Sequence, residues 1–135
     1  MSFYLEISTH KINRILKFYE EIKEISKNDL TINEELKQLD LKRVQTILDS
    51  PNYAFWVIFG DGKFDYGEGE IENSDIVVKI KTPLFRQILK QKKAALTEFT
   101  KKNMQIQGDI QYAVVYFDFL NYSLDYIKDI RGESK

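Results

Sequence analysis

Tyr53-Ala54-Phe55-Trp56-Val57-Ile58-Phe59-Gly60-Asp61-Gly62-Lys63-Phe64-Asp65-Tyr66-Gly67 is the stretch that decides how this chain folds. Tyr53 to Phe59 is rich in aromatic and β-branched side chains, which suit a pleated, half-buried surface. Asp61-Gly62 is the two-residue signal of a type I′ hairpin, because both positions must accept positive φ. A turn that tight sets Phe59 opposite Phe64 and Val57 opposite Tyr66. Phe55, Val57, Phe59, Phe64 and Tyr66 then share one face, while Trp56 and Ile58 share the other with Gly67 and Asp65. Gly67 and Gly69 predict a bulge or bend that ends the second strand.

Downstream, Asn73-Ser74-Asp75 is a turn, and Ile76, Val78 and Ile80 alternate with Lys79 and Lys81 as a half-buried strand. Thr82-Pro83 opens a helix, with Thr82 as the cap and proline near its first position. Leu84, Phe85, Ile88 and Leu89 are its buried stripe, and Lys90, Lys92 and Lys93 crowd its C-terminal end. A second short helix turns Ala95, Leu96 and Phe99 inward. Met104 to Gln107, with Ile106, alternates as a short strand. Asp109 caps a last helix, about 110–129, that is apolar on two sides. Ile110, Ala113, Val114, Phe117, Leu120, Leu124 and Ile127 form one stripe; Tyr112, Val115, Tyr116, Phe119, Tyr122 and Tyr126 form another. Both must be covered by the core, a ligand or another subunit.

Upstream, Ile12, Ile15, Leu16, Tyr19, Ile22 and Ile25 recur at helical spacing, which predicts a helix over 9–27 capped by Thr9. A short helix is expected at 34–39 and a strand at 41–49, before the turn Ser50-Pro51-Asn52. The whole reads as one α+β domain, 1–135, with a helical segment to about 40 and sheet and helices over about 41–130.

The 135 residues carry a net charge of −1 without a cysteine, so disulfides and thiolate chemistry are excluded. Met1–His10 lacks a basic-then-apolar leader and no run is long enough to span a bilayer, so a cytoplasmic location is expected. Charge is unevenly placed: residues 79–102 hold eight basic side chains against Glu98, and 61–75 hold six carboxylates against Lys63. That polarity steers anionic partners or is a solvated helical face. A nucleic-acid role is not expected, because the aromatics of 79–102 fall at buried helical positions rather than between the lysines.

No catalytic, cofactor or metal site is expected. Gly60-Asp61-Gly62 would need glycine at Asp65 for a dinucleotide fingerprint, and Gly62 to Gly67 is followed by Glu68-Gly69 rather than Lys-Ser/Thr. Lys63 and Tyr66 spoil a calcium loop that Asp61 and Asp65 begin. His10 is the single histidine, so a His-rich metal site is impossible and a triad would have to recruit it.

Several short signatures, in order, resemble the sterol-carrier-protein-2 family over roughly residues 41–122. They are the hairpin Phe59-Gly60-Asp61-Gly62-Lys63, the Asp-led strand Ser74 to Ile80, the helix Leu84 to Lys93, the segment Ala94 to Phe99, and Ile106-Gln107-Gly108-Asp109 followed by Tyr112-Ala113. Gln91-Lys92 stands where the family usually has a Gly-Lys or Gly-Glu pair. The resemblance implies a twisted sheet of about five strands with helices on one face, flanked by N- and C-terminal helices. It also implies an elongated apolar cavity that carries sterols, acyl chains or other lipids, without enzymatic chemistry. On that basis Phe55, Val57, Phe59, Phe64, Tyr66, Phe85, Ile88, Leu89, Leu96, Phe99, Ile106, Val114 and Phe117 are expected to line the cavity. Lys90, Lys92 and Lys93 are expected to meet an anionic headgroup or, transiently, an anionic membrane surface. From pattern alone, a solid core is the favoured reading of the same residues, because pockets are few and cores universal, and the protein would then be a lipid-free interaction or dimerisation module; monomer and homodimer both stay open. An enzyme is the weakest reading.

Overall fold

The structure, a computed structural model, describes residues 3–132, with side chains from Ile12 onward. Five helices and five strands follow the order α1 (Phe3–Asn28), α2 (Leu30–Lys37), β1 (Lys42–Asp49), β2 (Tyr53–Gly60), β3 (Lys63–Glu68), β4 (Ile76–Lys81), α3 (Thr82–Leu89), α4 (Ala95–Thr100), β5 (Met104–Gly108) and α5 (Ile110–Ile130). The strands form one mixed sheet in the order β3-β2-β1-β4-β5. Only the β1–β4 pair is parallel.

The hairpin has the expected register. Phe59 faces Phe64 and Val57 faces Tyr66, and Asp61 and Gly62 take φ of 51° and 76°, as a type I′ turn requires. Trp56 lies opposite Gly67, where a β-carbon would sit 2.2 Å from Cζ2 of the indole. Glycine at 67 is therefore needed for space rather than for backbone freedom.

The strand order forces residues 69–75 to cross the outer face of β2 and β1 before β4 can pair beside β1. Gln45, outward on β1 yet only 4% exposed, fastens this crossover. Its amide donates to the carbonyls of Gly69 (2.9 Å) and Phe55 (3.1 Å) and accepts from the Ile71 N–H (2.8 Å). Asp75 accepts from the Arg43 N–H at 2.9 Å and its own N–H donates to the Arg43 carbonyl at 2.8 Å.

The inner face carries Val44, Thr46 and Leu48, then Phe55, Val57, Phe59, Phe64, Ile76, Val78 and Ile80, all buried under the helices. α1 lies along the β3 edge through Ile15, Phe18, Tyr19 and Ile22. It is clamped there by the Tyr66 hydroxyl donating to Glu20 (2.8 Å) and by the Lys23–Asp65 ion pair (2.9 Å). Both stripes of α5 are used. One covers the sheet and α3; the other packs Tyr116 and Phe119 on Phe59 and reaches the N-terminal segment, the Tyr112 hydroxyl donating to the Asp40 carbonyl and Tyr126 to Asp29 at 2.6 Å.

Four local expectations are corrected. Thr9 lies inside α1 rather than at its start; the helical spacing continues upstream, so a cap residue there is incidental. The short helix runs 30–37, not 34–39, because the Asp29 carboxylate accepts from the N–H groups of Thr31 (2.9 Å) and Ile32 (3.2 Å) and starts it. Thr82 does not cap α3; its buried hydroxyl donates to the Pro51 carbonyl at 3.0 Å. Leu96 is 54% exposed, whereas Glu98 is buried and accepts from the Asn103 amide at 2.8 Å. In a helix of one and a half turns the buried line runs from Ala95 to 98–99, and Leu96 lies about 100° away from Ala95 around the axis.

Candidate functional site

The layer between sheet and helices is held largely by rings. Phe18 meets Tyr19 edge-on at 5.8 Å, Tyr19 meets Phe55 at 5.2 Å, Phe55 meets Phe85 at 6.0 Å and Phe85 meets Phe117 at 6.1 Å. Phe59 and Phe64 both lean on Phe119, at 5.8 and 6.0 Å. Of the residues the sequence singles out, the structure gathers Phe55, Val57, Phe59, Phe64, Phe85, Ile88, Leu89 and Phe117 into this buried layer. Tyr66, Phe99 and Ile106 pack at its margin, Val114 is half-buried, and Leu96 points to solvent.

The layer is apolar but not free of polar atoms. The buried hydroxyls of Tyr19 and Tyr116 share a hydrogen bond of 2.7 Å. Burial pushes the Tyr116 phenol up to about 12 and raises Tyr19 well above its ordinary value, so both are neutral at physiological pH. The hydroxyls of Thr46 and Ser123 are buried without a hydrogen-bond partner among the described residues.

A surface groove of about 140 Å³ lies between α1, α3 and α5. Ile15, Phe18, Leu89 and Leu124 form its floor; Arg14, Arg86 and Lys90 form its rim. Phe18 belongs both to the floor and to the chain of rings, so the groove lies on the outer side of the buried layer. Of the three lysines singled out, Lys90 stands on the rim, while Lys92 and Lys93 are exposed beyond it. Arg14, Phe18, Arg86 and Leu124 went unassigned at the sequence level as site residues. The signal was present for Phe18, three residues after Ile15 on the same helical stripe. None existed for the arginines, because only the packing of α1 against α3 brings them together. Two other grooves border the fold: one of about 300 Å³ beside Ile47, Lys79, Lys102 and Gln105, and one of about 210 Å³ between α2 and α5. Among the described residues no group of three His, Asp or Glu side chains is placed to hold a metal ion. The His10 side chain lies outside the described residues. No helix among the described residues is long and apolar enough to cross a membrane.

The model of the SCP-2 sterol transfer family matches residues 21–121. The chain belongs to the SCP-2 sterol transfer family. Solved structures share its fold at low identity. Sterol carrier protein 2 from Yarrowia lipolytica, in its apo form, is 18% identical with a TM-score of 0.60, over 78% of this chain and 88% of that one. The sterol carrier protein domain 2 of Helicoverpa armigera is 16% identical with a TM-score of 0.60, over 81% and 87%. The UbiJ-SCP2 ubiquinone synthesis protein is 11% identical with a TM-score of 0.61, over 82% and 97%. The fold also occurs as part of a longer enzyme, the sec-alkylsulfatase Pisa1 from Pseudomonas sp., of which this chain matches 14%, at 18% identity, a TM-score of 0.55 and 62% of its own length. No curated protein sequence matches the chain. The SCP-2 match takes in Arg86, Leu89 and Lys90 but stops short of Arg14, Ile15, Phe18 and Leu124. Four of the seven residues that line the groove therefore lie in segments that flank the matched core.

Proposed function

We propose that this protein binds and carries a long-chain apolar lipid, of sterol, acyl or isoprenoid type, in space opened between the inner sheet face and the helices. It acts in the cytoplasm, without catalysis, cofactor or nucleic acid. The observation that carries this reading is the apolar groove whose floor residue Phe18 begins the run of rings into the core. A chain entering there turns Phe18 aside and reaches Tyr19, Phe55, Phe85 and Phe117. The remaining lining would come from Val57, Phe59, Phe64, Tyr66, Ile88, Leu89, Ile106 and Val114. Each buried methylene contributes about 0.8 kcal/mol, which offsets the cost of parting rings worth roughly 0.5–1.5 kcal/mol per pair. Membership of the SCP-2 family supports the same reading. Lys90, Lys92 and Lys93 would hold the protein transiently at an anionic membrane, and changing all three to Glu is expected to weaken its association with anionic vesicles.

Native mass spectrometry of the freshly purified protein, followed by organic extraction, tests the proposal. A discrete added mass that extracts as lipid is expected, and Leu124→Asp, if its circular dichroism is intact, is expected to lose it. A protein that stays apo after incubation with fatty acids, sterols and isoprenoid lipids would refute carrying.

One observation favours a second reading, a lipid-free interaction module: Phe55, Val57, Phe59, Phe85 and Phe117 are already buried against one another, and Tyr122 on α5 stays 39% exposed. A dilution-resistant dimer without lipid in sedimentation velocity would favour that reading.

A further inference from the structure

The groove of about 210 Å³ between α2 and α5 pairs an apolar floor with an acidic rim. Leu39, Val115, Phe119 and Tyr122 form the floor, and the exposed carboxylates of Glu35 on α2 and Asp118 on α5 stand on the rim. Among the described residues neither carboxylate is in an ion pair. The cations closest to Glu35 in the chain are engaged elsewhere: Lys37 pairs with Glu34 at 3.4 Å, and the Lys42 ammonium sits over the Tyr112 ring at 5.6 Å. The Tyr122 phenol is raised from its ordinary pKa by burial first, then by the charges of Glu35 and Asp29, so the negative potential reaches the ring. Tyr122 stacks on Tyr126 with 16° between the planes. Leu30 at the start of α2 and Leu41 beyond its end are 72% and 47% exposed. Apolar surface is therefore left open at both ends of the α2 wall as well as on the groove floor.

We propose that this groove docks a segment of another protein in which an arginine or lysine stands beside apolar side chains. Charge complementarity selects the occupant. Apolar side chains of the segment cover Leu39 and Val115, as an amphipathic helix does in a groove. The cation reaches between Glu35 and Asp118, makes charge-assisted bonds to them, and lays its stem on the Tyr122 ring. An acidic segment is repelled from both walls, and a purely apolar one covers the floor but leaves two carboxylates without a partner. The walls are already tied together by the Tyr126 hydroxyl donating to Asp29 at 2.6 Å, so little ordering is needed on docking. The basic stretch of a second copy, around Lys92 and Lys93, lies on a different face; seating it here would build a head-to-tail array rather than a two-fold pair. The inference does not depend on lipid carrying. Tyr122 and Leu124, which line the two grooves, are about 200° apart around α5, so a partner seated here leaves the other groove open.

Titration of the isotope-labelled protein, followed by NMR, with three short amphipathic helical peptides tests the inference. The peptides share a leucine stripe and differ only in whether arginine, glutamine or glutamate flanks it. The arginine peptide is expected to bind about tenfold tighter than the glutamine peptide, the scale of one charge-assisted hydrogen bond, with shift changes centred on Leu39, Val115 and Tyr122. Glu35→Gln combined with Asp118→Asn, checked by circular dichroism, is expected to abolish that preference and leave the glutamine peptide's affinity unchanged. Glu35→Lys with Asp118→Lys is expected to turn the preference toward the glutamate peptide. Equal affinity for the arginine and glutamine peptides, or no binding of either, overturns the docking site and leaves lipid carrying intact. An arginine preference that survives Glu35→Gln with Asp118→Asn, or shift changes centred on the acidic stretch 61–75, shows general attraction to a negative surface and also overturns it. Self-association of the free protein in sedimentation velocity, lost in the same double variant, assigns the groove to a second copy and overturns it as well.

Discussion

Gly67 and Trp56 show how a single contact fixes a residue type. The indole occupies the place of a side chain at 67, with its Cζ2 2.2 Å from where a β-carbon would stand. Gly67→Ala is expected to destabilise the protein by about 1–3 kcal/mol, the range for overpacking, in urea denaturation. The Tyr19–Tyr116 pair makes a different point. Removing the Tyr116 hydroxyl leaves Tyr19 buried and unpaired, so Tyr116→Phe is expected to cost about 1–3 kcal/mol, more than Tyr19→Phe, which leaves the Tyr116 hydroxyl beside that of Thr46, and the double variant is expected to cost less than the sum of the two. A double-mutant cycle measures the coupling. The same pair has a pH signature. The Tyr116 phenol lies at about 12 in the fold against 10.0 in the unfolded chain, so the fold favours its neutral form. Its contribution is full below pH 10 and is lost as pH rises from about 10 through about 12. Unfolding free energy is expected to fall across that window, with a shallower slope in Tyr116→Phe. The hairpin register and the Trp56–Gly67 pairing were legible in the sequence because a two-residue turn leaves one alignment. The tyrosine pair was not, since 97 residues separate its members.

At the scale of elements, aspartate caps start α2 and α5, and α2 shows how a cap also ties elements together. Asp29 accepts two backbone N–H bonds and the Tyr126 hydroxyl, joining α2 to the end of α5. Asp109 accepts one backbone bond at the start of α5. Asp29→Ala is therefore expected to cost about 1–2 kcal/mol, more than Asp109→Ala at about 1 kcal/mol, in thermal and chemical unfolding. The Asp109 cap was readable because it follows a glycine and precedes a long apolar pattern. The Asp29 cap was masked by the helical pattern on both sides of it, and the start of α2 was misplaced by four residues. The misreading of Leu96 is of the same kind. In six residues, periodicity cannot say which of two adjacent apolar side chains is turned inward, and the Asn103 amide settles it by burying Glu98 instead.

At the scale of the whole molecule, the sheet order and the helical layer together create the groove. If the protein carries lipid, the ligand stabilises the folded state by mass action. At a free lipid concentration about 100 times the dissociation constant the gain is about 2.7 kcal/mol, and differential scanning fluorimetry is expected to show a rise in Tm that saturates with lipid. Local pattern was enough to read the α+β class, the hairpin, the inward strand faces and the two-sided nature of α5. These depend on periods of two and 3.6 residues and on turn chemistry, which are local properties. Tertiary structure alone decided that α5's tyrosines dock α1 and α2, that Gln45 pins the crossover to the outer face, and that Arg14, Arg86 and Lys90 surround one apolar slot. Each of these is a meeting of residues far apart in the chain. No local pattern encodes such a meeting, because it arises only when several elements bury their apolar faces against the same sheet.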